Sequence, residues 1–176
     1  SFLPLSLLGI IIVIVGFTGY FSFRLFQSDI NFSESLKVEN LPNGQKIYNL
    51  QQQAIQTFPY RSDYYRIFSQ VNLALASSLT NAQQGKQPSQ NLQGTIIGVL
   101  QQSINAGRTA VTLSPQSSGN WQSLSQIYRN LINVGQNAEQ FAIGSMQQAI
   151  RLDPSNPQLY IQLGGIYYQL GNYELA

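Results

Sequence analysis

The sequence predicts an all-α protein in which an apolar transmembrane helix is followed by an α-solenoid of antiparallel helix pairs. The first observation behind this prediction is an uncharged run from Ser1 to Phe23. The second is an Ala followed five residues later by a Pro, at Ala54–Pro59, Ala110–Pro115 and Ala149–Pro154. The third is a bulky aromatic residue six positions after each of these prolines, namely Tyr65, Trp121 and Tyr160.

The opening segment, residues 1–24, has the length and composition of a membrane span. A hydrocarbon core of about 30 Å needs roughly 20 helical residues, and the run up to Phe23 carries no charge. Its apolar character continues around the whole helix, whereas a surface helix of a soluble protein has one polar face. Tyr20, Phe21 and Arg24 resemble an interfacial aromatic belt with a cation that reaches water. We therefore expect residues 1–24 to contact the lipid bilayer as a single-pass helix.

Two other interpretations of this segment remain open. A cleavable signal peptide has a shorter apolar core and a small-residue cleavage site, and residues 16–22 lack an Ala-x-Ala pattern. A buried core helix is rarely apolar on every side.

The linker expected at residues 25–45 carries both charge signs, which favours an extracytoplasmic repeat domain. The chain begins without Met and ends at Ala176 within a helical pattern, so we expect a fragment truncated at its C-terminus.

The segment that follows Pro154 predicts a helix that packs closely on a neighbour. Leu163, Tyr167 and Leu170 recur at three- and four-residue steps, so they share one helix face. Gly164 is small enough for a partner helix to approach, and Gly171 suits a left-handed helix end. The earlier prolines end helices because Pro lacks the backbone N–H and clashes with the preceding turn.

These residues resemble the tetratricopeptide repeat (TPR) family. The last unit is similar to the family's Trp-x-x-Leu-Gly-x-x-Tyr signature, with Tyr in the Trp position, at Tyr160, Leu163, Gly164, Tyr167, Leu170, Gly171, Tyr173 and Ala176. The middle unit matches at Trp121, Leu124, Ser125, Tyr128, Ala142, Met146, Ala149 and Pro154. The first matches at Tyr65, Phe68 and Ser69, after a partial helix that ends at Ala54 and Pro59. The resemblance implies a TPR-like helical repeat domain over residues 46–176.

Two departures from the family's 34-residue period predict extra residues. Trp121 and Tyr160 are 39 residues apart, and we expect the excess to lengthen the helices or the turn at residues 133–137. The gap between the first two units is longer still. Its Gln-rich stretch, residues 83–94, is expected to form a loop between long helices at residues 62–81 and 90–113.

The TPR resemblance also implies a partner-binding groove lined by the first helix of each unit. By the family's geometry its candidate residues are Arg66, Gln70, Gln122, Gln126, Arg129, Asn130, Gln158, Ile161, Tyr168 and Gln169. Such side chains suit hydrogen bonding to an extended peptide or to a glycan, and the competing interpretation is a solvated helix face. A clamp for a C-terminal carboxylate would need more cations than Arg66 provides.

The composition excludes several kinds of chemistry. Without Cys or His there is no thiolate, no disulfide, no Cys/His zinc site and no His-dependent acid–base catalysis. The carboxylates do not pair at helical spacing, and Asp63 and Asp153 are expected at a helix start and in a turn. A net charge of +2 from scattered cations predicts no nucleic-acid binding. We expect no cofactor, no metal and no catalysis within this chain.

Two functions are consistent with these features. The first is a bacterial membrane-anchored TPR scaffold for protein partners. The second is the C-terminal tail of an O-antigen ligase/polymerase-like membrane glycosyltransferase, because a hydrophobic helix, a short linker and a Gln-rich repeat tail resemble that arrangement. The catalytic part of such an enzyme would lie upstream of Ser1, so reading the upstream coding sequence separates the two functions.

Overall fold

The computed structural model describes residues 3–37, 44–82 and 89–176, and these residues form seven α-helices and no strand. The helices are α1 (Leu3–Ser35), α2 (Gly44–Thr57), α3 (Ser62–Asn81), α4 (Gln90–Leu113), α5 (Ser118–Asn130), α6 (Ala138–Leu152) and α7 (Pro157–Gln169). They form two compact units, Ser1–Tyr60 with α1 and α2, and Arg61–Ala176 with α3 to α7. The predicted all-α class is confirmed for the described part of the chain.

Helix α1 has an exposed apolar first part and a packed second part. Its side chains from residue 7 to residue 23 are all exposed. By length and composition, α1 is the one helix among the described residues that could cross a membrane. The Thr18 hydroxyl donates to the Ile14 carbonyl at 2.8 Å, so this polar group is satisfied inside its own helix. From Arg24 onward, α1 packs against α2.

The expectation of a linker at residues 25–45 is wrong for residues 25–35, which continue α1 without a break. Ser28 and Ser35 are buried in this stretch, and the Ser28 hydroxyl donates to the Ala54 carbonyl of α2 at 2.8 Å. The sequence from residue 20 to residue 41 contains no Gly or Pro that would end the helix earlier. The serines of this stretch are small, so they allow α2 to approach. Residues 38–43 lie outside the described residues.

The helices that precede the three prolines end in the same way. Helices α2, α4 and α6 each stop two residues before the Pro. The residue after each helix donates its N–H to the carbonyl of the alanine, at 3.0 Å for Ala54, 3.1 Å for Ala110 and 3.0 Å for Ala149. All three alanines are buried, so each lies on the inner face of its helix. The predicted helix ends are therefore confirmed.

The aromatic residue after the proline is hydrogen-bonded to it in two units. Trp121 Nε1 donates to the Pro115 carbonyl at 2.8 Å, and the Tyr160 hydroxyl donates to the Pro154 carbonyl at 3.1 Å. Each bond ties the first turn of a helix to the turn before it, which explains the six-residue spacing. Tyr65 lies at the corresponding place in α3, where burial raises the pKa of its hydroxyl.

The core of the unit Arg61–Ala176 lies between paired helices. Helix α3 packs on α4 and α5 packs on α6, while α4 contacts α5 and α6 contacts α7. The most deeply buried core residues of α5 to α7 are Ile127, Ala142, Met146, Ala149, Leu159 and Ile166. Gly107 of α4 lies against this core, since a Cβ at that position would be 2.8 Å from Ile127 Cδ1. A side chain at position 107 would displace Ile127, so this glycine lets α4 and α5 pack closely.

Serine hydroxyls make similar hydrogen bonds in the helices of both units. The Ser35 and Ser69 hydroxyls each donate to the carbonyl three residues earlier, both at 2.6 Å. Ser28 of α1 and Ser118 of α5 donate to the alanine near the end of the paired helix, at 2.8 and 3.0 Å. Ser35 precedes Ser69 by the TPR period of 34 residues. The pair α1–α2 thus has serine hydrogen bonds similar to those of later helices, a similarity that the sequence analysis missed.

Helix α7 ends as its glycines predict. Gly171 has a φ of +75°, its N–H donates to the Tyr168 carbonyl at 3.0 Å, and the Asn172 N–H donates to the Tyr167 carbonyl at 2.9 Å. These two bonds form a Schellman helix end. A Cβ on Gly164 would be 3.1 Å from the carbonyl carbon of Ala176. The non-helical residues near Ala176 therefore pack on α7 at this small residue, where a partner helix was expected.

The extra residues of the two longer units lie in different places. In the middle unit they fall in the turn between α5 and α6, where Asn133 and Asn137 adopt left-handed backbone conformations. In the first unit they lengthen the helices, because the predicted helices at residues 62–81 and 90–113 coincide with α3 and α4. Residues 83–88 of the predicted loop lie outside the described residues.

Candidate functional site

An open cavity of about 580 Å³ lies between three helices of the unit Arg61–Ala176. Its described lining residues are Leu73 of α3, Gln126, Arg129 and Asn130 of α5, and Gln169 of α7. The three α5 residues follow one another at helical steps, so they share one face of that helix. Four groove candidates from the sequence therefore line one cavity, together with Leu73, which the sequence analysis did not include.

A second cavity, of about 440 Å³, adjoins the first and shares Leu73 and Asn130 with it. Its other described lining residues are Ala76, Ser77, Thr80, Asn81, Ile96, Leu100, Leu131 and Val134. Five of these are aliphatic, and they come from α3, α4 and the turn that follows α5. The polar first cavity thus lies beside a more apolar one.

Several predicted groove residues hydrogen-bond across neighbouring helices. Gln70 Nε2 of α3 donates to Ser123 Oγ of α5 at 3.1 Å. Gln122 Nε2 and Gln126 Nε2 of α5 donate to the same atom of α7, Gln162 Oε1, at 3.1 and 3.5 Å. These amides hold the first helices of successive units side by side, so part of the predicted groove serves the fold.

Arg129 joins α5 to α7 and also faces the first cavity. Its Nε donates to Gln169 Oε1 at 3.0 Å and its Nη2 donates to the Gly165 carbonyl at 3.2 Å. A Cβ on Gly165 would be 3.3 Å from the guanidinium, so the absence of a side chain lets the arginine reach the backbone. These bonds use two of the five N–H donors of a guanidinium. The others can serve a molecule in the cavity.

The remaining candidates lie elsewhere. Arg66 pairs with Asp63 at 3.0 Å in the first turns of α3, which agrees with the expected role of Asp63 at a helix start. Gln158, Ile161 and Tyr168 of α7 are exposed and are not among the described lining residues of either cavity. The structure brings together Gln126, Arg129, Asn130 and Gln169 in one place, and leaves these three α7 residues outside it.

Replacing Arg129 by Ala is expected to loosen α7. The variant loses two hydrogen bonds from a charged donor, and we expect the free energy of unfolding of the repeat unit to fall by about 1.5 kcal/mol. Denaturant unfolding followed by circular dichroism measures the change. Arg151→Ala is the matched control, because Arg151 bonds only to Gln148 of its own helix in the described structure. An equal loss of stability in both variants would show that Arg129 does not hold α7.

The paired helices, the serine hydrogen bonds between them and the helix ends before proline are typical of a TPR-like fold. The chain matches no protein-family model and no curated protein. Among solved structures it is similar to the TPR domain of Arabidopsis OM64, with a TM-score of 0.61 and 12% identity over 83% of this chain and 98% of that one. No group of three or more His, Cys, Asp or Glu residues within the described ranges could hold a metal ion.

Two further solved structures show the same fold. TTC0263, a thermophilic TPR protein in Thermus thermophilus, has a TM-score of 0.61 and 17% identity over 82% of this chain and 66% of its own. MamA has a TM-score of 0.59 and 13% identity over 84% of this chain and 71% of its own. At these identities the likeness shows the fold, and it is TPR-like.

Proposed function

We propose that this chain is a membrane-anchored, non-catalytic TPR scaffold whose repeat unit binds a protein partner. The observation that carries the proposal is the first cavity, where Gln126, Arg129, Asn130 and Gln169 from two helices converge. Stacked helical repeats typically create extended concave binding surfaces. The binding surface in the proposal is this cavity together with the apolar cavity beside it.

An extended peptide is the ligand that the two cavities favour. A side-chain amide offers both donors and acceptors, as a peptide main chain does. Asn130 is exposed, and one of its amide hydrogens goes to the Gln126 carbonyl at 2.8 Å. Arg129 supplies donors for a carbonyl or carboxylate oxygen. The aliphatic second cavity accepts an apolar side chain, which a peptide has and a glycan lacks.

The anchor in the proposal is α1, with residues 1–24 in the bilayer. Its support is an apolar helix surface exposed on every side from residue 7 to residue 23, which soluble helices rarely show. The repeat unit is proposed to lie on the extracytoplasmic side. Asp29 and Glu34 accompany Lys37 after the span, so the flanking segment has no cluster of cations to retain it in the cytoplasm.

A peptide-binding experiment tests the groove. The full chain in lipid nanodiscs is used to select peptides from a phage-displayed random library, and affinities of enriched synthetic peptides are measured for the original chain and for Asn130→Ala. We expect enriched peptides to bind the variant about tenfold more weakly, since one lost hydrogen bond is worth roughly 1.4 kcal/mol. Gln147→Ala, at an exposed position of α6, is the control and should bind normally. Failure to enrich peptides, or equal affinity for all three proteins, would refute the proposed site.

A further inference from the structure

An aromatic cluster joins α1 to the turn that follows α2. The ring of Phe21 in α1 lies 5.0 Å from the ring of Phe58 and 6.1 Å from that of Tyr60. Phe58 and Tyr60 are 5.4 Å apart, and Phe17 stacks on Phe21 at 6.0 Å. The turn of residues 58–60 therefore lies against α1 near the end of its exposed apolar stretch.

The members of the cluster differ in exposure. Phe58 is 8% exposed and fixes the turn to α1, whereas Tyr60 is 64% exposed and Phe17 is 66% exposed. Tyr60 thus directs an amphipathic ring outward beside the apolar surface of α1. Tyrosine is enriched at membrane–water interfaces because its ring is apolar and its hydroxyl is polar.

Arg24 marks the water side of this cluster. Its Nη2 donates to the Gln56 carbonyl near the end of α2 at 3.2 Å, and its guanidinium lies 5.9 Å from the ring centre of Tyr20. Phe21 lies three residues earlier in α1, which is about 4.5 Å closer to the centre of the apolar stretch. Because residues 58–60 pack at the level of Phe21, they lie on the apolar side of Arg24.

The opposite end of the hairpin has a different chemistry. Glu34 of α1 pairs with Lys37 at 2.5 Å and approaches Lys46 of α2 at 3.9 Å. Ionic contacts thus lie at one end of the α1–α2 hairpin and aromatic contacts at the other. The hairpin therefore has one end suited to lipid and one end suited to water.

We infer that the turn of residues 58–60 enters the headgroup region of the bilayer and forms a second membrane contact beside the span. The inference rests on the proposed membrane anchor and adds to it a contact made by a segment distant in sequence. The occupant of this surface is lipid, because the exposed rings are continuous with the apolar surface of α1. Tyr60 and Phe58 would then set the depth and tilt of the hairpin at the membrane surface.

Quenching of tryptophan fluorescence by brominated lipids tests this inference. The chain has one tryptophan, so Trp121→Phe gives a background into which single tryptophans are placed in the full chain. Three variants are compared in nanodiscs with and without brominated acyl chains: Tyr60→Trp, Phe17→Trp and Gln45→Trp. Gln45 is exposed near the start of α2, at the ionic end of the hairpin.

The expected result is strong quenching and a blue-shifted emission for tryptophan at positions 60 and 17, and little quenching at position 45. Quenching at position 17 alone would leave the anchor in place and overturn the second contact. Equal quenching at positions 60 and 45 would also overturn it, since it would indicate adsorption of the whole hairpin. No quenching at position 17 would refute the membrane anchor itself, and the inference with it.

Discussion

Ile127→Asp is expected to unfold the unit Arg61–Ala176. Ile127 is 0% exposed and lies against Gly107, in the middle of the core of α4, α5 and α6. An unpaired carboxyl group in this position costs on the order of several kcal/mol, and the whole stability of a domain is typically about 5–15 kcal/mol. Circular dichroism of the full chain in nanodiscs should show loss of helix and of the main cooperative melting transition.

Two variants of the same helix serve as controls for this prediction. Ile127→Val removes one methylene and should lower the free energy of unfolding by about 1 kcal/mol while the fold persists. Asn130→Asp introduces the same charge at an exposed position and should leave melting nearly unchanged. Wild-type melting of Ile127→Asp would mean that this face of α5 is not buried, and the helix register would be wrong.

The double substitution Val13→Lys and Phe17→Lys is expected to release the chain from membranes. Both side chains are exposed, at 70% and 66%, and they lie within the proposed span. Each lysine near the centre of a membrane helix costs about 2.5–3.5 kcal/mol. The fraction of protein that stays in the membrane pellet after alkaline carbonate extraction should fall sharply.

A matched pair of lysines distinguishes the bilayer from a general effect of charge. Gln27→Lys with Ile30→Lys places the same two charges at exposed positions of the same helix, beyond Arg24. This variant should remain in the pellet as the original chain does. If the Val13/Phe17 variant pelleted equally well, or the original chain were itself extracted, α1 would not be a membrane span.

The helix ends could be predicted from sequence because each depends on local chemistry. A proline stops its helix whatever surrounds it, so the ends near Ala110 and Ala149 followed from the sequence alone. The second part of α1 could not be predicted in this way. Its polar and charged residues resemble a linker, and its helix is stabilised by burial of Ser28 and Ser35 against α2. The recurrence of Ser35 and Ser69 at the TPR period was the available signal.

The sequence predicted which types of residue line the candidate site, but it predicted their spatial arrangement less well. The polar face of α5 followed from helical spacing, and Gln126, Arg129 and Asn130 do line a cavity. Whether a side chain is available to a partner or bonded to a neighbouring helix depends on contacts between residues far apart in sequence. The contact of Arg129 with Gly165 is one example. The contribution of Leu73 to both cavities likewise depends on how α3 packs beside α5. Such contacts need the tertiary structure.

We propose that one continuous helix is membrane-embedded in its first part, and its second part packs against α2. The chain has no cysteine, so single-cysteine variants at Val13 and Ile30 can be labelled with a membrane-impermeant maleimide in opened membrane vesicles. Cysteine at position 13 should react only after detergent is added, whereas cysteine at position 30 should react at once. Immediate labelling at position 13, at the rate seen at position 30, would contradict the claim.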